Sequence, residues 1–350
     1  MILTFKPSIV RKDMDAVLTC LVEENLGPGE HCRALLKRFS QDLQVPGVYG
    51  IREYPRALEL LLGATVAGLG EEIPQDGPPR VALSVLSPGW YLGALKKEGL
   101  KPVFLDVDPD TCTLRLPQGK RPEETAEIFL IHHHLGFENN LEPLGDSPVK
   151  IIEDLSQIFA SRLTRPRPRR GSGIFCLDEE GFISALGGVF IYASGRRENQ
   201  DLKGRVEELD TSQVLTDLQA SLALSQLNRL EKFIARRLEE REIFLQALQK
   251  SRNRSPLPPG GDSPEAPPHI PYTFPVLVKS GAREILNYAR KKRIFCSPAF
   301  ENSVFRRSPD LEGDYPGART LALRCLLFPL YPSLGKEDIE GIARVLSSLP

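Results

Sequence analysis

Charge of one sign is missing from this 350-residue chain: 45 Lys and Arg stand against 46 Asp and Glu, a formal net charge of −1. A nucleic-acid binder needs a basic footprint. The one basic run, Arg162 to Arg170, is short and interleaved with proline, so it reads as a solvated loop and nucleic acid is excluded as a partner. Long apolar runs are missing too. The opening MILTFKPSIVRKD has too few consecutive apolar residues for a signal peptide, and no stretch reaches the ~20 residues that cross a bilayer. A cytoplasmic protein with no membrane partner is expected. The six cysteines, at 20, 32, 112, 176, 296 and 325, include no CxxC pair, which argues against a zinc or redox motif and for reduced, packed thiols. Finally, no lysine occurs between Lys150 and Lys203, so that span offers no side-chain amine nucleophile.

What remains is the composition of a globular protein large enough for a substantial core and a second, smaller domain. Residues 13 to 25 place Met14, Val17, Leu18, Leu21 and Val22 at helical spacing, and a second helix is expected from His31 to Leu43 after the Gly27-Pro28-Gly29 turn. Apolar strand candidates begin near residues 81, 102, 127 and 149 and alternate with helical or loop segments, the pattern of a mostly parallel sheet covered on both faces. In such sheets ligands collect at the carboxyl ends of the strands, where Glu53, Trp90, His133 and Asp154 all fall. In EIFLIHHHLG, Glu127 to Gly136, strand alternation sends His132 and His134 to one face and His133 to the other, so the three cannot share one metal and no metal site is expected. Their role stays open between packing and a solvent edge.

After Gly204 the pattern changes to one long helix, Asp217 to Lys250, with Leu224, Leu227, Leu230, Ile234 and Leu238 on its apolar stripe. The segment 254–268, RSPLPPGGDSPEAPP, is a loop because proline and glycine break both kinds of ladder. A strand from Tyr272 to Val278, a helix from Ala282 to Lys292 and a strand at Ile294-Phe295-Cys296 follow. The division is thus a large domain, 1–215, and a long connecting helix with a small α+β domain, 216–350.

The central stretch, Val149 to Ala193, reads VKIIEDLSQIFASRLTRPRPRRGSGIFCLDEEGFISALGGVFIYA. A buried strand ends in Glu153-Asp154, Gln157 follows, and Gly187-Gly188 opens another strand. Together with GLKPVFLDVDPDT at 99–111 and the closing LFPLYPSLGKEDIEGIARVLSS, this order resembles the DegT/DnrJ/EryC1/StrS sugar aminotransferases, which use pyridoxal phosphate (PLP) on the aspartate aminotransferase fold (fold type I). The resemblance spans nearly the whole chain. It implies a homodimer, a nucleotide-sugar ligand and a PLP pocket in which Asp154 meets the pyridinium nitrogen, Trp90 or Tyr91 stacks on the ring, and Gln157 is retained beside them. It also exposes two departures. The family's Schiff-base lysine precedes its Gly-Gly pair, and its usual spacing lands on Glu180, or on a neighbour if the turn differs in length. The family's Ser-Gly-Thr phosphate motif falls on Glu53-Tyr54-Pro55; two hydroxyl donors are gone, and a carboxylate facing a phosphate at ~5 Å and a dielectric of ~20 is unfavourable by roughly a few kcal/mol. Arg52 and Arg56 either replace the lost donors or are solvated.

The resemblance therefore implies a protein of nucleotide-sugar or polysaccharide biosynthesis without ordinary PLP transamination, since glutamate cannot form a Schiff base. A second reading is an active enzyme using noncovalent PLP, or its amine form PMP, on a nucleotide-linked keto sugar. A third is a non-catalytic partner of an active relative. The cofactor expectation is accordingly PLP or PMP without a covalent bond, or none, with no catalytic residue assigned.

Overall fold

The computed structural model describes all residues except 25, 71–76, 146, 165–170, 259–268, 280 and 312; most of the basic run and most of the loop 254–268 lie outside the described residues. Seven strands form the main sheet: β1 Tyr49–Ile51, β2 Arg80–Ser84, β3 Lys101–Leu105, β4 Ile128–His132, β5 Lys150–Asp154, β6 Ser172–Cys176 and β7 Val189–Tyr192. Their spatial order is β1-β7-β6-β5-β4-β2-β3. The strands from β3 to β6 are parallel, and only β7 reverses, pairing antiparallel with both β6 and β1. β4 is buried along its whole length and β5 beyond Lys150. Covered on both faces, these strands carry continuous apolar runs rather than alternation, and their polar residues sit at the strand ends. The polar carboxyl ends build the site. Register pairs His132 with Asp154, and β6 ends at Cys176 alongside, so three polar side chains close three adjacent strands on one rim.

The N-terminal helices run Arg11–Val22 and Glu30–Asp42, within two residues of expectation at their starts. The single long helix is not found. The chain instead forms helices Asp217–Leu227 and Leu230–Leu248, broken at Asn228-Arg229. The break coincides with a buried anchor: the Asp13 carboxylate pairs with the Arg229 guanidinium and accepts from Ser225 Oγ at 2.7 Å. A continuous apolar stripe cannot report such a break, because Leu227 and Leu230 are both buried on either side of it.

A second sheet, β8 Phe274–Leu277, β9 Ser297–Pro298 and β10 Cys325–Phe328, has the order β8-β10-β9 and is antiparallel throughout. The expected strand at Ile294-Phe295-Cys296 is displaced to Ser297–Pro298, while Ile294 forms a single bridge to Ile2. Two side chains tie this part to the main sheet. Arg237, buried on the helix Leu230–Leu248, donates to the Tyr272 and Leu330 carbonyls and lies over the Phe182 ring at 4.6 Å. Asp106, just past β3, accepts from the Gly317 and Ala318 amides at 3.0 and 2.8 Å, a carboxylate at the positive end of the helix Pro316–Arg324.

Candidate functional site

A cavity of about 630 Å³ opens over the carboxyl ends of the central strands. At its floor lies Asp154, whose two oxygens are both taken by protein donors. Oδ1 accepts from the Ser156 amide at 3.0 Å and the Ser156 hydroxyl at 2.6 Å. Oδ2 accepts from Tyr91 Oη and from His132 Nδ1, the latter at 2.6 Å. Burial by itself would raise the carboxyl pKa, but the charge of His132 and the hydrogen bonds from His132, Ser156 and Tyr91 outweigh it and hold Asp154 well below the usual carboxylate range.

The three histidines divide as alternation requires. His132 faces the cavity, whereas His133 points to the other side of the sheet, so its placement beside the site is corrected. There His133 Nδ1 accepts from the Asn139 amide at 3.0 Å and Nε2 meets Glu153 at 3.1 Å; Glu153 also holds Arg162 at 2.5 Å. His134 is buried against His132, ring centroids 4.8 Å apart, with no hydrogen-bond partner for Nε2. Burial, and then the neighbouring histidines, push its pKa well down.

The second wall begins at the helix Tyr54–Leu69, which Pro55 starts without needing an amide donor. Glu53 stands at the N-cap with no side-chain cap bond and is not part of the cavity wall; Tyr54 and Pro55 are. The Tyr54 ring meets Trp90 edge-on at 4.4 Å, and Trp90 meets Tyr91 in the same manner at 4.6 Å. The Tyr54 hydroxyl is buried beside Ser156 and Tyr91. Burial first, then the Asp154 charge, pushes its pKa well above the ordinary phenol range. Arg52 and Arg56 do not replace the missing donors: Arg52 donates to the Ser212 carbonyl and Arg56 pairs with Glu59.

Beyond β6 the chain turns through Asp178 and Glu180, both on the cavity wall. Asp178 accepts from the Glu180 amide at 3.2 Å and from Cys176 Sγ at 3.4 Å. Burial raises the pKa of both carboxyls, with Asp178 and Glu179 adding repulsion at Glu180 and Asp154 at Asp178. The turn closes on Gly187 and Gly188 with φ of 83° and 94°, left-handed backbone; at Gly188 a Cβ would also lie 2.7 Å from Leu215. Gln157 lines the cavity, yet its side-chain oxygen accepts from the Leu135 amide at 2.5 Å and so holds the turn after β4.

The outer wall comes from elsewhere in the sequence: Tyr272, Ser297, Glu301, Asn302 and Arg307. Sequence reasoning missed these, and it also missed Ser156, Cys176, Asp178 and Tyr91's bond to Asp154. Only Ser156 and Asp178 carried a local signal, each placed two residues beyond a polar strand end. No lysine is among the described residues that line the cavity.

Against known proteins, the model of the DegT/DnrJ/EryC1/StrS aminotransferase family matches residues 189–347. A dTDP-4-dehydro-2,3,6-trideoxy-D-glucose 4-aminotransferase from Saccharopolyspora spinosa is 24% identical over 98% of this chain and 95% of its own length. A GDP-perosamine synthase from Escherichia coli O157:H7 is 20% identical over 98% and 97%. Among solved structures, an aminotransferase from Streptoalloteichus hindustanus superposes with a TM-score of 0.81 at 20% identity, covering 99% of this chain and 98% of that one. The E. coli GDP-4-keto-6-deoxy-D-mannose-3-dehydratase with bound hydrated PLP gives 0.79 at 14% identity, with 99% of each chain covered. The chain therefore carries a DegT/DnrJ/EryC1/StrS aminotransferase family domain at residues 189–347 and has the fold of PLP-type aminotransferases.

Proposed function

We propose that this is an aminotransferase-like protein of nucleotide-sugar or polysaccharide biosynthesis that does not transaminate with PLP. The observation that carries the reading is the cavity wall, where Glu180 stands at the turn expected to present a lysine and no lysine lines the described site. Family resemblance implies PLP or PMP, but the residues present do not fit that group. A pyridinium nitrogen needs a free carboxylate oxygen, and both Asp154 oxygens already accept from side chains or backbone. The cofactor phosphate would sit at the start of the helix Tyr54–Leu69, where Pro55 has no amide to donate and Arg52 and Arg56 are engaged by the Ser212 carbonyl and Glu59.

The same wall suits a sugar. Carboxylates accept hydroxyl protons, the rings of Trp90 and Tyr272 offer apolar faces, and Arg307 supplies a charge for a diphosphate. Trp90 is the only tryptophan, so its fluorescence reports the cavity directly. Titration with a nucleoside-diphosphate hexose is expected to change Trp90 emission saturably. With PLP, glutamate and the 4-keto sugar, no amino sugar is expected; its formation would overturn the reading.

The proposed assembly is a homodimer. The helix Arg11–Val22 leaves Met14, Leu18, Leu21 and Val22 between 45% and 83% exposed, an apolar face that a two-fold copy of itself would cover. Sedimentation at micromolar concentration should show a dimer, and Leu18→Glu with Leu21→Glu should yield monomer. A wild-type monomer would contradict this.

A further inference from the structure

We infer that the Tyr54 phenol is a resident occupant of the slot that a pyridine ring would take, so that the chain closes the cofactor position from within and leaves the rest of the cavity to a ligand bound without cofactor. The inference rests on the proposed absence of PLP chemistry and gives it a physical cause. Tyr54 is the first residue of the helix Tyr54–Leu69, at the place where helix amides would hold a phosphate. From there its side chain runs toward Asp154. Its ring meets Trp90, the residue expected to carry a pyridine, edge-on at 4.4 Å. Its hydroxyl ends, wholly buried, in the corner shared by Ser156, Tyr91, Cys176 and Asp154. The phenol thus spans the three points that fix a pyridoxal ring: the helix start, the aromatic platform and the strand-end carboxylate.

The surrounding chemistry agrees with a neutral occupant. Tyr91, His132 and Ser156 saturate Asp154, which leaves no acceptor for a protonated ring nitrogen but makes no demand on a phenol. The raised pKa of Tyr54 keeps it uncharged beside that carboxylate. Two six-membered rings cannot share the slot. Binding of the cofactor ring must therefore displace a half-buried side chain as well as find a nitrogen partner.

The test uses PMP, which has no aldehyde and so cannot label surface lysines, with Trp90 emission as the readout. Wild type and Tyr54→Phe, in which the ring is kept, should show no saturable quenching. Tyr54→Gly should bind PMP at least about tenfold more tightly, a gain of ~1.4 kcal/mol. Tyr54→Ser, a small residue compatible with a helix start, carries the same expectation and replaces the glycine variant if that one melts early. The inference is overturned if wild type binds PMP as tightly as the opened variants, or if a folded opened variant gains nothing. Noncovalent PMP binding by wild type would overturn only this inference, whereas a covalent PLP adduct on a cavity lysine would overturn the functional reading beneath it.

Discussion

Asp154→Ala is expected to destabilise the folded protein by about 3–5 kcal/mol, the range for removing one partner of a buried ionic group. The carboxylate is 2% exposed and is the common acceptor for Tyr91, His132 and Ser156. Its loss strands a buried phenol and a buried imidazole on the floor of the cavity. Asp154→Asn should cost less, since one oxygen remains, but its amide would oppose a donor. The linkage to pH has a definite sign. The folded-state pKa of Asp154 is depressed relative to the unfolded value of about 3.9, so its contribution is fully present above that value and is lost as pH falls below about 4. Urea denaturation of wild type and Asp154→Ala at pH 7 and at pH 3 checks both points: the gap between them should be large at pH 7 and shrink at pH 3. A variant as stable as wild type at pH 7 would mean that the network does not support the fold. In an enzyme that used this aspartate for its cofactor, the principal expected loss would be of cofactor.

Gly317→Ala should be nearly as damaging, at about 3 kcal/mol. A Cβ built on Gly317 falls 1.9 Å from the Val107 carbonyl oxygen and 3.2 Å from Asp106 Oδ1. The first obstacle is backbone and cannot rotate aside. Relief would require the helix Pro316–Arg324 to withdraw from the end of β3, which would break the two amide bonds to Asp106. The expected phenotype is a lower midpoint in denaturant and early loosening between the two sheets, visible as faster amide exchange in that helix. Unchanged exchange at Gly317 and Ala318 would contradict the account.

Asp106 also shows what the sequence could and could not reveal. The run GLKPVFLDVDPDT was legible as a strand with an acidic turn, because a fully covered parallel strand leaves an apolar signature. That its aspartate caps a helix 211 residues later was not legible, since nothing local encodes the approach. The same limit explains the cavity's outer wall. Asp154, Trp90, Gln157 and Glu180 lie at or near strand ends or turns and could be placed from the order of elements. Glu301, Asn302 and Arg307 arrive by long-range packing and carry no motif. Alternation divided the three histidines between two faces, yet could not say which face opens to the cavity. The answer came from register: His132 lies opposite Asp154. The helix break at Asn228-Arg229 escaped because the apolar positions keep their spacing across it, while the cause, Asp13, lies over two hundred residues away.

The central claim is that the family fold is kept while the Schiff base is lost, and borohydride trapping tests it most directly. The protein is incubated with PLP, reduced, digested and mapped by mass spectrometry. The account predicts at most scattered, substoichiometric labelling of surface lysines and no stoichiometric adduct. A single stoichiometric phosphopyridoxyl-lysine on a residue that reaches the Asp154 cavity would contradict it.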